Sequence, residues 1–174
     1  MKQEQVRVVG KQPNSRMCFV CGLENRLGLH SRFYQVDDDR LVAVFTPAEE
    51  HQSYPGRLHG GVSAAILDET IGRAIMIRHP GEIWGVTVEF SMKFRRPLPL
   101  DTPLKVVATI TSENRRAFEG EGAIFDPDGG VAVSGRGKYL KMPIDKIADF
   151  DRDHEQWVVL EEADDPSSLL LPGP

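Results

Sequence analysis

A histidine and two glycines stand directly before the strongest predicted helix, and two acidic residues follow inside it. The order is Leu58–His59–Gly60–Gly61, with Asp68–Glu69 two turns further on. Glycines at a helix start let the backbone approach a ligand closely, and the first N–H groups of a helix have no partner within it. Such donors suit the oxyanion that develops during acyl transfer. The same spacing also fits a tight turn into a helix with no substrate, and both interpretations stay open.

The two acidic residues interrupt a helix that is otherwise apolar. Burying a carboxylate without a partner is costly, so either Asp68 or Glu69 should face a cleft, a partner or a hydrogen-bond donor. Consecutive helix residues lie about 100° apart, so the two carboxylates cannot point into the same site. One of them could instead mark the exposed side of the helix. Two carboxylates in so apolar a helix favour a functional role as much as a structural one.

A Cys-x-x-Cys pair precedes the first predicted strands. Cys18 and Cys21 have the spacing of a zinc knuckle, but a tetrahedral zinc site needs four ligands. No second pair exists, although His30, His51 or a second subunit could complete a site. The pair does not lie between a strand and a helix, as a redox motif would. We therefore expect no metal and favour a packing role for this segment.

Two pairs of arginines lie at predicted strand ends and turns. Arg95–Arg96 ends a strand, and Arg115–Arg116 lies in a turn. They are either solvated strand ends or contacts to the phosphates of a nucleotide-bearing substrate, for which the guanidinium group is well shaped. The sequence contains no phosphate-binding loop and no dinucleotide fingerprint, and it lacks the serine elbow of an α/β hydrolase. No cofactor is predicted.

One long helix, from Gly60 to Arg78, is predicted to position these groups. Its apolar residues are too many for one narrow stripe, and they are Val62, Ala65, Ile66, Ile71, Ala74, Ile75 and Ile77. A helix that is apolar nearly all round is buried in a core. The sequence His79–Pro80–Gly81 ends this helix, because proline just past a helix end cannot continue it.

Runs of period-two alternation on both sides of the helix predict an antiparallel sheet. Two runs between Leu27 and Thr46 flank the turn at Asp37–Asp39 and indicate a hairpin. Four consecutive strands are predicted after the helix. The first has a packed face made of its alternating apolar residues, which are Trp84, Val86, Val88, Phe90, Met92 and Phe94. Strands grouped around a single helix predict an α+β fold in which a curved antiparallel sheet wraps the helix.

Charge divides the chain of 174 residues into unlike parts. The net charge is −5, yet residues 145–174 alone carry −7, so residues 1–144 carry +2. We predict an irregular N-terminal segment with the cysteine pair at 1–26, a domain at 27–144 and an acidic C-terminal extension at 145–174, whose apolar Trp157–Leu160 could dock on the domain. The charge disfavours nucleic acid as a partner. No apolar run approaches the ~20 residues of a membrane helix, and no signal peptide is evident, so a cytoplasmic location without membrane contact is expected.

Three stretches of the chain resemble a known family. HGGVSAAILDE from His59 and GVTVEFSMKFRRPLP from Gly85 resemble the hotdog-fold acyl-CoA thioesterases of the phenylacetate-pathway (PaaI-like) type, within the 4-hydroxybenzoyl-CoA thioesterase superfamily. CFVCGLENRLGLH from Cys18 resembles the opening of a subgroup of these proteins. The resemblance covers about residues 18–142. It implies a hotdog fold, in which five or six antiparallel strands wrap one long helix, and a homodimer or homotetramer with the active site at the subunit interface.

The resemblance also implies catalytic roles for particular residues. Asp68 matches the catalytic carboxylate, acting as general base on water or as nucleophile, and Glu69 is the rival carboxylate. Gly60 matches the glycine whose N–H forms the oxyanion hole. His59 matches the motif histidine near the thioester carbonyl. Thr87 matches a serine or threonine that helps to hold the attacking water.

Substrate-binding positions follow from the same resemblance. Gly61 belongs to the glycine pair, and Ser53 stands where many relatives have asparagine, six residues before the motif histidine. His51 and Gln52 lie nearby and could substitute for that asparagine. Arg95–Arg96 are expected to contact the phosphates of coenzyme A.

These features together predict hydrolysis of an acyl-CoA thioester to free acid and CoA. A non-catalytic acyl-CoA-binding or scaffold protein on the same fold is the alternative, because fold alone does not settle function. A hydratase or dehydratase of the hotdog class is a third option, but its usual histidine-containing motifs are not evident. The acyl group cannot be predicted from one sequence, since side chains from two subunits would shape its tunnel.

Overall fold

Eight antiparallel strands and one main helix make up the computed structural model of the protein, which describes residues 3–149 and 151–172. The elements are β1 (Gln3–Lys11), β2 (Arg32–Val36), β3 (Leu41–Phe45), α1 (Gly60–Arg73), α2 (Ile75–Arg78), β4 (Trp84–Phe94), β5 (Leu104–Glu113), β6 (Ala117–Phe125), β7 (Val131–Met142) and β8 (Ser168–Pro172). The strand order in the sheet is β4-β7-β6-β5-β3-β2-β1-β8. None of the described helices is long and apolar enough to cross a membrane.

The helix α1 lies in the concave face of the sheet, as predicted. Its apolar residues Ile66, Leu67 and Ile71 have no exposed surface. Glycines in β6 and β7 let the helix come this close: a Cβ atom on Gly120 would lie only 2.7 Å from Ile71 Cγ2. The α+β hotdog architecture is therefore confirmed. The predicted single helix is interrupted after α1 by Ala74, whose N–H bonds to Ile71 O three residues back and tightens the turn before α2.

The sheet has eight strands and not the five or six expected. The irregular conformation predicted for residues 1–26 is wrong for β1, which pairs with β2 on one side and with β8 from the acidic extension on the other. Leu169 and Leu171 of β8 are buried in a small apolar cluster with Tyr34 and Val36 of β2. A strand of five residues in an acidic segment has too few apolar positions to reveal its period. The strand conformation of β8 therefore depends on its backbone pairing with β1.

A β-bulge in β4 changes which side chains face the helix. The register between β4 and β7 shifts between Thr87 and Glu89, so Val88 is the extra residue. A bulge inverts the alternation of side chains along the strand. The predicted packed face is therefore wrong at Val88, which is 52% exposed. Phe94 shares a face with Phe90 and Met92, which pack against the core, yet it is 59% exposed at the end of the strand. Thr87, assigned by alternation to the polar face, lies on the side of α1 instead.

The acidic extension contacts the domain through a few side chains. Trp157 packs against the main core, whereas Val158, Val159 and Leu160 remain 42–47% exposed. Lys11 of β1 forms ion pairs with Glu162 and Asp165. The docking expected for Trp157–Leu160 therefore rests on the tryptophan, and part of the charge run is paired with cations of the domain.

Candidate active site

The carboxylate of Asp68 is held by two hydroxyl groups from the sheet. Thr87 Oγ1 in β4 donates to Asp68 Oδ1 at 3.0 Å and to Oδ2 at 3.1 Å. Tyr139 in β7 donates its hydroxyl to Asp68 Oδ1 at 3.0 Å and to the backbone oxygen at 3.2 Å. No cation is ion-paired with Asp68 among residues 3–149 and 151–172. The carboxylate is therefore oriented but not neutralised.

Partial burial makes Asp68 a stronger base than an ordinary aspartate. Burial raises the pKa of its carboxyl group above the usual value, while the hydrogen bonds from Tyr139 and Thr87 oppose this shift. The nearby charge of Glu69 raises the pKa further. A carboxylate with a raised pKa accepts a proton more readily at neutral pH, which suits a general base.

Tyr139 is a site residue that the sequence analysis missed. Its side chain is fully buried and stacks on Phe118, with ring centroids 4.9 Å apart. It lies on the same face of β7 as Gly137, which leaves space for its ring, since a Cβ atom there would meet the tyrosine within 2.6 Å. A buried tyrosine needs a partner for its hydroxyl. A tyrosine on the packed face of a predicted strand is thus the signal that could have indicated this contact.

Asp68 lies in the wall of a pocket of about 250 Å³ beside the N-terminal segment. The helix side contributes Asp68, Glu69 and Gly72, and the sheet contributes Thr87 and Tyr139. The remaining wall comes from the cysteine pair, from two tryptophans and from three further residues of the helices and β4, and these are Cys18, Cys21, Trp84, Trp157, Arg73, Met76 and Gly85. An apolar wall next to an oriented carboxylate is what a site for an organic substrate requires.

Glu69, the rival carboxylate, is committed to a buried ion pair. Its Oε1 accepts from Arg73 Nε at 2.8 Å, and its Oε2 accepts from Cys18 Sγ at 3.2 Å. Arg73 is 6% exposed and also donates to Pro13 O. A carboxylate fixed between a guanidinium and a thiol is not free to activate water. The geometry therefore favours Asp68 as the reacting carboxylate.

The predicted histidine–glycine motif forms the first turn of α1. His59 is the N-cap, and its Nδ1 accepts from the Gly61 N–H at 2.8 Å. The Gly60 N–H has no acceptor within the part of the chain that the structure describes. A free N–H at the positive end of a helix is available to a ligand oxygen. The histidine thus caps the helix and leaves the first amide open.

The Gly60 amide lies in a second pocket, of about 320 Å³, together with three arginines. Three of the residues assigned to substrate binding by resemblance, Ser53, Arg95 and Arg96, line this pocket together with Arg57. Arg96 is paired with Asp126 at 2.8 Å, and Arg95 donates to the Ser134 hydroxyl. Within the described ranges no carboxylate pairs with Arg57 or Arg95.

The loop residues that might replace the family asparagine have other partners. His51 is buried, its Nδ1 accepts from the Ala48 N–H and its Nε2 lies 3.0 Å from Leu27 O. Gln52 Oε1 accepts from the Gly56 N–H at 2.7 Å. Both side chains hold the loop together. Ser53 is the one of the three that reaches the pocket wall.

One chain does not bring the two halves of the predicted site together. Gly60 and Asp68 are eight residues apart on the same helix, which corresponds to about 12 Å along its axis. A thioester carbonyl is much smaller than this separation. The oxyanion donor and the carboxylate of one chain therefore lie in two different pockets.

Comparison with known proteins shows which family this chain resembles. Residues 55–133, which run from the loop before α1 to the start of β7, match the family described as the thioesterase superfamily. The predicted resemblance is therefore confirmed over these residues, which are similar to the thioesterase superfamily.

Curated relatives include acyl-coenzyme A thioesterases. The rat (Rattus norvegicus) acyl-coenzyme A thioesterase THEM4 is 28% identical over 110 residues, which is 62% of this chain and 46% of the relative. The human (Homo sapiens) acyl-coenzyme A thioesterase THEM5 is 29% identical over 70 residues, which is 40% of this chain and 27% of the relative. The chain thus spans less than half the length of these curated relatives.

Solved structures with the same fold include a thioesterase superfamily protein. The thioesterase superfamily protein RHA08564 is 32% identical, with a TM-score of 0.66, and the match covers 72% of this chain and 60% of that one. The E. coli PaaI protein from the phenylacetic acid degradation operon has a TM-score of 0.59, with 66% of this chain and 80% of that one covered. At 17% identity this second likeness shows the fold alone.

Proposed function

We propose that the protein hydrolyses the thioester bond of an acyl-CoA, giving a free acid and CoA. The observation that carries this proposal is the Asp68 carboxylate, oriented by two hydroxyl groups in a largely apolar pocket and paired with no cation of the described residues. The matches to acyl-coenzyme A thioesterases support the substrate class. A buried base and a free helix amide are the two groups that acyl transfer to water needs.

The active site is composed from two copies of the chain. A two-fold axis that sets two α1 helices antiparallel would bring Asp68 of one protomer next to Gly60 of the partner subunit, because the two groups are offset along one helix. Among the described strands, β4 is at one edge of the sheet and pairs with β7 alone. Its free edge and its exposed Val88 and Phe94 offer a surface for such a homodimer.

The proposed reaction begins when Asp68 takes a proton from a water molecule. Thr87 and Tyr139 keep the carboxylate oxygens in place, so little reorganisation is needed. The hydroxide attacks the carbonyl carbon, and the carbonyl oxygen becomes an oxyanion that accepts a hydrogen bond from the Gly60 N–H. The tetrahedral intermediate then collapses, the C–S bond breaks, and the CoA thiolate leaves and takes up a proton.

The arginine-lined pocket accounts for the CoA part of the substrate. Arg57 and Arg95 are exposed guanidinium groups beside the Gly60 amide, and no carboxylate in the described part of the chain pairs with them. Guanidinium groups bind phosphate oxygens with paired hydrogen bonds. The phosphates of CoA would lie at this mouth while the thioester reaches the helix N-terminus.

Changing Arg57 and Arg95 together to glutamine should raise KM for acyl-CoA about 5–30-fold, which corresponds to a loss of about 1–2 kcal/mol of phosphate binding. The value of kcat should change little, because these side chains would not touch the reacting atoms. Steady-state kinetics of the double variant measures both constants. Arg136→Gln serves as the matched control, since Arg136 is exposed and pairs with Glu121 elsewhere on the sheet.

A thioester that lacks the nucleotide separates phosphate binding from general damage. With an acyl-N-acetylcysteamine substrate, the double variant and the unmodified protein should have equal kcat/KM. An equal loss with both substrates would contradict the assignment of these arginines to the phosphates.

The activity itself is tested with a panel of acyl-CoAs and a reagent that reports free thiols. Release of one thiol per thioester consumed supports hydrolysis. Saturable binding of acyl-CoA without thiol release would instead support the alternative, an acyl-CoA-binding or scaffold protein on the same fold. Disappearance of the acyl-chain double bond, or its formation, without thiol release would indicate a hydratase or dehydratase.

We assign the protein to a reducing compartment, of which the cytoplasm is the simplest. Two neighbouring cysteines, Cys18 and Cys21, are both free thiols. Neighbouring free thiols persist where the cell keeps them reduced. Localisation of the tagged protein in the cell tests this assignment.

The proposed self-association is tested by measuring the size of the protein in solution. We expect a homodimer or a homotetramer.

A further inference from the structure

The cysteine pair forms a cluster with two charged residues of α1. The sulfur atoms of Cys18 and Cys21 and a carboxylate oxygen of Glu69 all lie within 4.8 Å of one another. Cys18 Sγ donates to Glu69 Oε2 at 3.2 Å. Cys21 Sγ accepts from Arg73 Nη2 at 3.0 Å and lies 3.3 Å from Ser15 Oγ. The two sulfur atoms thus have opposite electrostatic surroundings.

These surroundings shift the pKa values of the two thiols in opposite directions. The neighbouring Cys18 thiol and the positive charge of Arg73 lower the pKa of the Cys21 thiol, although burial and Glu69 oppose this. The neighbouring Cys21 thiol, burial and the charge of Glu69 raise the pKa of the Cys18 thiol. Cys21 is therefore the more acidic thiol of the pair, and Cys18 is the one that holds its proton more tightly.

The cluster already contains its own cation. Arg73 contacts both Cys21 and Glu69, and its guanidinium lies 4.3 Å from the Phe33 ring centroid and 4.9 Å from that of Trp157. A metal ion bound to the same sulfur and oxygen atoms would be placed next to this buried positive charge. Repulsion between neighbouring like charges in a buried site is strong. The cluster is thus suited to thiol chemistry and not to a divalent ion.

A small molecule can reach the pair through the pocket that contains Asp68. Cys18 and Cys21 both line it, yet Cys21 is only 1% exposed. A bulky disulfide reagent would not reach so deep a sulfur atom, whereas a peroxide is close to water in size. Low-pKa cysteines next to a second cysteine are typical sites of reversible oxidation.

We propose that Cys18 and Cys21 are a peroxide-reactive thiol pair, in which Cys21 is oxidised first and Cys18 resolves it to a disulfide. The Cys21 thiolate attacks one oxygen of hydrogen peroxide, the O–O bond breaks, and with one proton taken up the products are a sulfenic acid and water. The Cys18 sulfur then attacks the Cys21 sulfur, and the S–O bond breaks. The Cys18 proton leaves with the hydroxyl group as a second water. Two thiols are oxidised by two electrons, and one peroxide is reduced.

Oxidation would change the wall of the Asp68 pocket. A disulfide removes the S–H that donates to Glu69 and leaves a neutral, less basic sulfur atom facing Arg73. Arg73 lies over Trp157, and the chain has only two tryptophans, Trp84 and Trp157, which both line this pocket. Tryptophan fluorescence therefore reports the state of the pair without any added label.

The test treats the whole reduced protein with hydrogen peroxide and measures its mass and its tryptophan fluorescence. We expect one molecule of peroxide to remove two hydrogen atoms from the chain, with a disulfide-linked 18–21 peptide after digestion, and a reductant to reverse both changes. Cys18→Ser should instead stop at the sulfenic acid, which dimedone labels on Cys21. Cys21→Ser is the matched control. At the peroxide concentration that oxidises the unmodified protein, it should neither react nor change its fluorescence.

Several results would overturn the proposal. Thiols that stay reduced until the protein is denatured, dimedone labelling of Cys18 in place of Cys21, or over-oxidation without a disulfide would each contradict it. One zinc ion retained per chain that protects both thiols would show a metal site instead. Because the readouts are mass and fluorescence, their outcome does not depend on whether the protein hydrolyses acyl-CoA.

Discussion

Replacing Asp68 with asparagine should lower kcat for acyl-CoA hydrolysis about 10²–10⁴-fold, the usual contribution of a general base. Asparagine keeps an oxygen that accepts from Thr87 and Tyr139, so the fold and the pocket should be preserved. The neutral amide cannot take the proton from water. The loss should therefore appear in kcat, with KM for acyl-CoA nearly unchanged, as measured by steady-state thiol release.

Two other variants make the assignment specific. The control is Glu119→Gln, which replaces an exposed carboxylate on β6 by the neutral amide. It should leave turnover unchanged. Glu69→Gln should lower the free energy of unfolding, because it breaks the ion pair with Arg73. The kcat of the folded fraction should change little. If Asp68→Asn kept full turnover and folded Glu69→Gln lost it, Glu69 and not Asp68 would be the reacting carboxylate.

The pH dependence of the unmodified protein follows from the raised pKa of Asp68. Turnover needs the ionised carboxylate, so it should fall as the pH drops through a value above that of an ordinary aspartate. The contribution of this carboxyl group to stability depends on pH in the opposite direction. A carboxyl group whose folded pKa is raised stabilises the fold below its unfolded pKa, and this contribution is lost as the pH rises through the folded value. Asp68→Asn should accordingly have a Tm at neutral pH no lower than that of the unmodified protein.

Replacing Gly60 with proline should lower kcat about 10²–10³-fold, the typical effect of losing one oxyanion donor. Proline has no N–H, yet it is favoured at the first position of a helix, which is where Gly60 lies in α1. The preceding residue must be extended, and His59 already has φ −67° and ψ 136°. The helix should therefore form as before, while the amide that faces the pocket is removed.

The matched control is Gly60→Ala, which retains the N–H. An added Cβ atom would lie 3.4 Å from Phe94 Cε1, a contact that an exposed aromatic ring can accommodate. Circular dichroism and thermal unfolding should match for both variants, and only the proline variant should lose turnover. An equal loss in both variants would mean that space near Phe94, and not the amide, limits the reaction.

The sequence contained enough information to predict the central part of the fold. The long apolar run around Ile66–Ile75 could only be a buried helix, and alternation in the strands after it required a sheet with one packed side. Strands β1 and β8 were not predictable in this way. They pair with each other across more than 150 residues of sequence, as Val6 with Leu169 illustrates, and neither has an apolar period of its own.

The site was predictable only where a motif was local. His59, Gly60 and Asp68 lie within one helix and its cap, so their spacing was visible in the sequence. Thr87 was assigned by resemblance, although alternation alone placed it on the wrong face, because the bulge at Val88 is not encoded by any obvious residue. Tyr139 lies 71 residues from Asp68, and only the sheet brings them together.

The separation of Gly60 and Asp68 on one helix has a genetic consequence. In the proposed homodimer each chain lends its amide to one site and its carboxylate to the other. A chain with Gly60→Pro and a chain with Asp68→Asn would each be inactive alone. In a mixed dimer the two defects fall in the same site and leave the other intact, so random pairing of equal amounts would restore about a quarter of the sites. Two loss-of-function alleles of this gene would then complement each other.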